Sequence, residues 1–312
     1  MSSLLDDHRL RYLFEAVRLG SVRTAADALD VNPSVVSRQI AQLEKDLGIT
    51  LIERLSRGVR ATEAGELLVE RFRKWEADRE DTIAKLREIQ GLQRGHVDIV
   101  LGEGFVSDLM AGPLDLFWRR HPRLTMSFEL AGTNDVIQAV AEDKCHIGLV
   151  YNAGPDPRIR TAIAIRQPIC LIARPDHPLA RRGGPVGLHE IADQPLGLMY
   201  PSYGTRQIVA MVEASERIGL LPKLTTSSIS VLRHFVKAGM GLTLLPAFSI
   251  AADLADRSLV ALPVENPLLA STDATVITRL GRELPNAAGQ LLRFLMTQMR
   301  AFRETLAAVP TG

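Results

Sequence analysis

The chain has 312 residues, enough for about two domains at roughly 150 residues each or for three small ones. Hydrophobic residues make up 46% and charged residues 23%, which excludes a disordered or fibrous chain. Lys plus Arg is 37 against 36 Asp plus Glu, so the net charge of +1 excludes a wholly basic nucleic-acid coat and leaves only a local patch for any such contact.

In chain order, Asp6 and Asp7 stand where a signal peptide would need an apolar run. Leu10, Leu13, Phe14 and Val17 then form a 3,4-spaced stripe, the mark of a first helix, with Gly20 as its C-terminal stop. Ser21 precedes a short alanine-rich helix over residues 24–29, whose small side chains allow close helix packing. Asn32-Pro33 opens a third helix over residues 33–47, since Asn is a favoured N-cap and Pro a favoured first residue; Gly48 ends it. At about 100° per residue, Val36, Ile40, Leu43 and Leu47 share one face. Ser34, Arg38, Ala41 and Lys45 share the other, flanked by Ser37 and Gln42. Short polar residues followed by cations suit a helix lying in a major groove, where close approach precedes donation to base edges and phosphates. Thr24 and Asn32, at the openings of the second and third helices, join these candidate DNA contacts.

Residues 51–62 predict a small β-hairpin turning near Gly58, made locally basic by Arg54, Arg57 and Arg60. Such a wing can hold phosphates or enter a minor groove, although taken alone it is equally a solvated turn. Residues 20–65 resemble the N-terminal winged helix–turn–helix of LysR-type transcriptional regulators. The resemblance rests on Ser21 with Ala25-Ala26 and Leu29, Val36-Ser37-Arg38-Gln39-Ile40, Leu43-Glu44, Leu47-Gly48, Leu51, Arg54 and Thr62-Glu63-Ala64-Gly65. Asn32-Pro33-Ser34 replaces the Ser-Gln-Pro or Ser-Gln-Ser usual in the family, and Ile52 its usual Phe.

Residues 62–90 contain no proline and many charges, which predicts one long helix capped by Thr62. Leu68, Phe72, Trp75, Leu86 and Ile89 fit a 3,4 seam with polar Arg79 and Thr82 between. The seam reads as a dimerising helix or as one packed on its own domain; the resemblance implies the dimer, and assembly onward to a homotetramer.

From residue 95 strands and helices alternate as βαβαβ, which predicts a parallel, doubly wound sheet. A second such unit follows, and strands near residues 163–172 and 259–275 cross between the two. This region is similar to the family's two-lobed effector domain, itself like type 2 periplasmic binding proteins. The similarity is carried by Gly95-His96-Val97-Asp98-Ile99, Leu116-Phe117 with His121-Pro122, Cys145-His146-Ile147-Gly148-Leu149, and the run from Val236 to Pro246. The expected fold class is thus an α N-terminal winged helix–turn–helix with a long linker helix, followed by an α/β two-lobed doubly wound effector domain. The expected divisions are residues 5–62, 63–92 and 93–304, with lobe I at 93–165 and 267–304 and lobe II at 166–266.

Helix N-termini bind anions through free N–H groups. Ser107, Thr133, Asn134, Ser202, Tyr203, Thr205 and Ser228 are read as caps facing the cleft, with Phe105, Tyr203 and Phe248 as apolar walls. For each polar residue alone, plain N-capping is an equal reading.

Cys145 and Cys170 cannot alone form a disulfide framework or a four-ligand zinc site, and are expected to be small buried apolar residues. Gly102-x-Gly104 lacks the third glycine of a dinucleotide fingerprint, Ser107 standing in its place, and no phosphate-loop motif occurs. The seven histidines are scattered, and no Gly-x-Ser-x-Gly is present. No cofactor and no metal are expected. The most apolar stretch, residues 239–255, is broken by Pro246 and Ser249 and falls short of the roughly 20 residues that span a bilayer. The expectation is a cytoplasmic, sequence-specific regulator, not an enzyme. Its partners would be a double-stranded DNA operator, a small anionic effector and further copies of itself, with no membrane. The alternative is an enzyme or solute-binding protein built on the two-lobed domain.

Overall fold

The structure, a computed structural model, describes residues 7–55, 58–89 and 95–303. It comprises two compact units, Met1–Ile83 and Ala84–Gly312, each with hydrophobic core of its own.

In the first unit, α1 (Asp7–Arg18) turns Leu10, Leu13 and Ala16 inward. α2 (Val22–Ala28) adds Ala25 and Ala26, and Ser21 caps it by accepting the Thr24 N–H at 3.3 Å. α3 (Pro33–Leu47) opens on Asn32, whose Oδ1 accepts the Ser34 N–H at 2.9 Å, and closes at Gly48 in the left-handed region. Val36, Ile40 and Leu43 of α3 are buried, each such side chain stabilising the fold by about 1.5–3 kcal/mol.

β1 (Ile52–Arg54) and β2 (Val59–Ala61) form an antiparallel hairpin. Glu44 Oε1 of α3 accepts the N–H groups of Leu51 at 2.7 Å and Ile52 at 3.2 Å. The Val59 N–H donates to the Gly20 carbonyl at 2.9 Å. Gly58 sits at φ +90°, where a Cβ would stand 2.3 Å from the Gly20 oxygen, so the hairpin seats against the α1–α2 corner only with glycine there.

α4 (Glu63–Ile89) follows, its first turn capped by Thr62 Oγ1, which accepts the Gly65 N–H at 3.1 Å. Val69 and Phe72 are buried in the first core, Leu68 packs at its edge, and the Phe72 ring lies 5.4 Å from that of Phe14. Phe72 is thereby placed in the core of its own unit, not on an outward seam, while Leu68 is half-buried at that core's edge. The apolar stripe of α1, α2 and α3 is open on one side, and the first turns of α4 close it. Trp75 and Leu86 stay exposed, at 40% and 56%. The side chain of Ile89 lies outside the described ones.

In the second unit, lobe I begins with β3 (Gly95–Leu101), α5 (Val106–Met110), α6 (Pro113–Arg120), β4 (Leu124–Leu130), α7 (Thr133–Ala141), β5 (Ile147–Tyr151) and β6 (Ile159–Arg166). Lobe II runs through β7 (Ile169–Ala173), α8 (Pro178–Arg182), α9 (Leu188–Ala192), β8 (Leu196–Met199), α10 (Gly204–Glu216) and β9 (Pro222–Thr226). It continues with α11 (Ile229–Lys237), β10 (Leu242–Pro246), α12 (Ala251–Ala255), β11 (Val260–Pro263) and α13 (Pro267–Ala270). The chain then returns to lobe I with β12 (Asp273–Arg279) and α14 (Asn286–Gln298). The sheet orders are β4-β3-β5-β12-β6 and β11-β7-β10-β8-β9.

The expected all-parallel sheet holds for only part of each lobe. β4, β3 and β5 are parallel, as are β9, β8 and β10. The crossing strands β12 and β6, and β7 and β11, pair antiparallel, because a chain that leaves one lobe and comes back must reverse its direction. At the crossings the Gln167 carbonyl accepts from the hydroxyls of Tyr151 at 2.5 Å and Thr272 at 2.9 Å. The Gln167 amide donates to the Ala301 carbonyl at 3.1 Å, tying the hinge to the C-terminal segment. Burial pushes the Tyr151 phenol up, so it serves here as a neutral hydrogen-bonding group. Among the described residues, no helix is long and apolar enough to cross a membrane.

Candidate nucleic-acid interface and interlobe cleft

The buried stripe of α3 leaves its opposite face to solvent. Asn32, Ser34, Arg38, Ala41 and Lys45 are exposed, as is Thr24 of α2, while Ser37 and Gln42 are half-buried. Several of these groups are pre-positioned. Ser34 Oγ donates to Asn32 Oδ1 at 2.8 Å, and Ser37 Oγ accepts from Arg54 Nη2 at 3.0 Å. Gln42 Nε2 donates to Asp46 Oδ1 at 2.7 Å, and the other Asp46 oxygen pairs with Arg9 at 2.6 Å. Those hydrogen bonds, first from Gln42 and then from Arg9, hold the Asp46 carboxyl below the usual carboxylate range. Arg38 and Lys45 make no side-chain hydrogen bond or ion pair among the described residues, so both cations are available to a ligand.

In the wing, Arg54 is exposed and reaches α3, whereas Arg60 pairs with Glu53 across the hairpin at 2.7 Å. The charge of Arg60 is therefore already paired with an acid. Arg57 lies outside the described residues. Arg23 of α2 is a further exposed cation that periodicity alone did not single out.

The interlobe cleft is a partly open cavity of about 30 Å³, room for no more than about two water molecules. Of the residues expected there, Phe105, Thr133, Tyr203, Thr205 and Phe248 line it. Phe105 and Phe248 form its floor, their rings 5.1 Å apart, with Phe302 stacked 5.8 Å behind Phe105. Burial, then the nearby Glu103 and Asp135 carboxylates, raise the Tyr203 phenol.

Other expectations are corrected. Ser107 is no cap: a 3-10 turn, Glu103–Phe105, precedes α5, and Ser107 falls inside the helix away from the cavity. The helical segment after β3 is not continuous: α5 ends before Gly112, and Pro113 starts α6 afresh. Gly132, not Thr133 or Asn134, caps α7. The Thr133 hydroxyl donates instead to the Tyr151 carbonyl at 3.4 Å, and Asn134 is exposed, outside the cavity lining. Ser202 contributes its carbonyl, which accepts the Thr133 N–H at 3.1 Å across the cleft mouth. Ser228 is the cap of α11, as expected, and its hydroxyl also donates to Glu103 Oε1 at 3.1 Å.

Glu103 is the cleft residue sequence reasoning passed over. It was visible as an ionisable side chain between two glycines at the C-terminal end of a strand, where ligand loops gather. Gly204 is a second. A Cβ on it would stand 2.2 Å from the Tyr151 oxygen, so the two lobes meet here through backbone.

Away from the cleft, two histidines accept backbone hydrogen bonds. His146 Nδ1 accepts the Asp98 N–H at 3.0 Å, and His177 Nδ1 accepts the Leu179 N–H at 3.3 Å. Burial pushes the Cys145 thiol up to about 12 and that of Cys170 up to about 11, far from the reactive thiolate range. Among the described residues, no cluster of three or more His, Cys, Asp or Glu is placed to hold a metal ion.

Residues 90–300 match the family model described as LysR substrate binding domain, and residues 8–66 that of the bacterial regulatory helix-turn-helix protein, lysR family. The chain is 26% identical over 290 residues to a RuBisCO operon transcriptional regulator of Allochromatium vinosum, covering 92% of this chain and 94% of that one. In fold it is similar to a full-length OxyR variant of Pseudomonas aeruginosa, with a TM-score of 0.67, 20% identity, and 95% and 96% of the two chains covered. It is also similar to the regulatory domain of Synechocystis PCC6803 CcmR in complex with 2-PG, with a TM-score of 0.57, 17% identity, and 66% and 98% covered.

Proposed function

The chain belongs to the LysR family of transcriptional regulators, and on that premise we propose that α3 and the wing read a double-stranded DNA operator while a small anionic effector enters the interlobe cleft. Regulation of transcription, not catalysis, is what its named relatives share. The observation that carries the DNA reading is the outer face of α3. Arg38 and Lys45 are exposed and uncommitted there, beside short polar side chains, while the other face is buried. Ser34, Ser37, Arg38, Gln42 and Lys45 are assigned to the major groove. Thr24, Asn32, Arg54, Arg57 and Arg60 are assigned to the flanking phosphates.

One such module reads only a few base pairs, so a homodimer on half-sites about one helical turn apart is the assembly this reading requires, and extension to a homotetramer is carried over from the family. The exposed Trp75 and Leu86 of α4, with Ile89, are the residues assigned to that pairing. The working division is residues 5–62 for DNA, 63–92 for pairing and 93–304 for the effector, with lobe I at 93–165 and 267–304 and lobe II at 166–266.

The anionic character of the effector is supported by the N-termini of α10 and α11 at the cavity, since Thr205 and Ile229 both line it. In the CcmR neighbour, the corresponding domain was solved with 2-PG. A cavity of about 30 Å³ is far below the roughly 300 Å³ of an ordinary ligand site, so entry requires the lobes to part.

Footprinting on the DNA upstream of the chain's own gene tests the operator reading. The expected result is two protected segments on one face of the duplex, lost in Arg38→Ala. Protection that is uniform along the DNA and indifferent to sequence would overturn it.

A further inference from the structure

Glu103 belongs to lobe I, at the end of β3, yet its carboxylate is bonded entirely to lobe II. Oε2 accepts the Ile229 N–H at 2.6 Å, and Oε1 accepts the Ser228 hydroxyl at 3.1 Å. These partners are 126 and 125 residues away in the chain. They form the N-terminal end of α11, a nine-residue helix whose dipole is positive at that end. A carboxylate held by a backbone N–H at a helix N-terminus is among the stronger hydrogen-bonded arrangements. Two further contacts join the lobes at the same cavity: the Thr133 N–H bonds the Ser202 carbonyl, and Gly204 lies against the Tyr151 backbone. Only about 30 Å³ of space is left there.

We propose that Glu103 is a lobe-to-lobe latch: an internal carboxylate that occupies the N-terminus of α11, keeps the cleft closed in the absence of effector, and must leave before an anionic group can take that place. The closing role stands on the interlobe hydrogen bonds alone. The competition with a ligand rests on the effector reading above. A latch of this kind lowers the apparent affinity for effector by the fraction of molecules that are closed, and weakening it raises that affinity. It also accounts for an effector cleft that presents a carboxylate of its own at a position suited to anions.

Amide hydrogen exchange on the full chain without effector tests the latch. Glu103→Ala removes both hydrogen bonds; Glu103→Gln keeps one acceptor and removes the charge. The expected result is at least tenfold faster exchange at Ile229, which Glu103 touches, and also at Thr133, which it does not. Sheet amides such as Leu149 and Leu244 should keep their protection and report an intact fold. Glu103→Gln should fall between wild type and Glu103→Ala, and it keeps the test alive if the alanine variant does not fold. Sodium acetate should restore protection at Ile229 in Glu103→Ala, with no effect on wild type and none from sodium chloride at equal ionic strength. Loss of protection at Ile229 with Thr133 unchanged would reduce Glu103 to a local helix cap and overturn the latch. Failure of acetate to restore Ile229 would overturn the carboxylate's role as the seated anion. If instead the exchange results hold while a panel of carboxylic acids shifts the melting temperature of neither wild type nor Glu103→Gln, the effector reading fails and the latch stands.

Discussion

Arg54 of the wing donates to the Ser37 hydroxyl of α3 at 3.0 Å, so the two elements proposed to touch DNA are tied to each other before DNA arrives. The bond is exposed, and a duplex approaching α3 would meet both partners together. Arg54→Ala is expected to weaken operator binding and flatten its dependence on salt by about one unit of slope, as loss of one phosphate contact does. Ser37→Ala should free the guanidinium without removing the charge, leaving the salt slope as in wild type. A slope unchanged in Arg54→Ala would place the arginine off the phosphates, and filter binding over a range of salt concentrations decides it.

Arg38 has a different expected signature. It lies mid-face on α3, is exposed, and carries no intramolecular partner among the described residues. If it reaches a base edge, Arg38→Ala costs about 1–3 kcal/mol of discrimination among operator variants. Binding measured on the operator and a set of single-base variants separates the cases. Equal weakening on every sequence would assign Arg38 to the backbone.

The first unit was legible because its determinants are local. The Asn32 cap, Pro33 and Gly48 bound α3 within the sequence itself, and the 3,4 spacing of Val36, Ile40 and Leu43 names the buried face. What escaped was non-local. Nothing near Phe72 says that its ring will meet Phe14, so a core residue resembled a seam residue. Ser107 looked like a cap because it follows a glycine-rich turn. Whether such a turn is loop or 3-10 helix depends on Phe105 finding Phe248 and Phe302, far along the chain. The position of Glu103 at a strand end was readable, but its bonding was not, because its partners Ser228 and Ile229 lie in the other lobe.

The reassignment of Phe72 separates two classes of α4 variant. Phe72→Ala removes a buried ring and should destabilise the first unit by about 3–5 kcal/mol, lowering its melting transition at any protein concentration. Leu86 is exposed, so Leu86→Ser should leave that transition nearly unmoved and shift the sedimentation profile toward smaller species. Trp75→Ala, which loses the ring contact with Phe72 at 5.7 Å, should lower the transition less than Phe72→Ala while shifting the profile the same way. A wild-type sedimentation profile in both would remove Trp75 and Leu86 from the pairing surface.

Gly204 offers a way to hold the lobes apart without touching Glu103. An alanine Cβ there would press within 2.2 Å of the Tyr151 carbonyl and 2.7 Å of the Thr133 hydroxyl. Backbone cannot yield as a flexible side chain does, so Gly204→Ala should open the cleft at a cost of about 1–3 kcal/mol. The expected readout is faster amide exchange at Thr133 in the full chain. An unchanged Thr133 amide would show that the lobes accommodate the methyl group while closed.

Asp108 of α5 is almost fully buried, and its Oδ2 accepts the Ala301 N–H at 2.8 Å. Burial raises its carboxyl above the usual value, a shift that the hydrogen bonds from Ala301 and Arg300 and the charges of Arg300 and Arg303 only partly oppose. A carboxyl raised on folding binds its proton more tightly in the native state. It therefore contributes its stability below the unfolded value of about 3.9, and that contribution is lost as pH rises through the folded value. At neutral pH the ionised form is an unfavourable tenant of the site. Asp108→Asn keeps an acceptor for the Ala301 N–H and carries no charge, so its melting temperature should exceed that of wild type near pH 7. The difference should shrink as pH falls toward 4. Thermal melts of both proteins across that range check the sign. A variant less stable than wild type at pH 7 would mean that the attraction of Arg300 and Arg303 outweighs the cost of burying the charge.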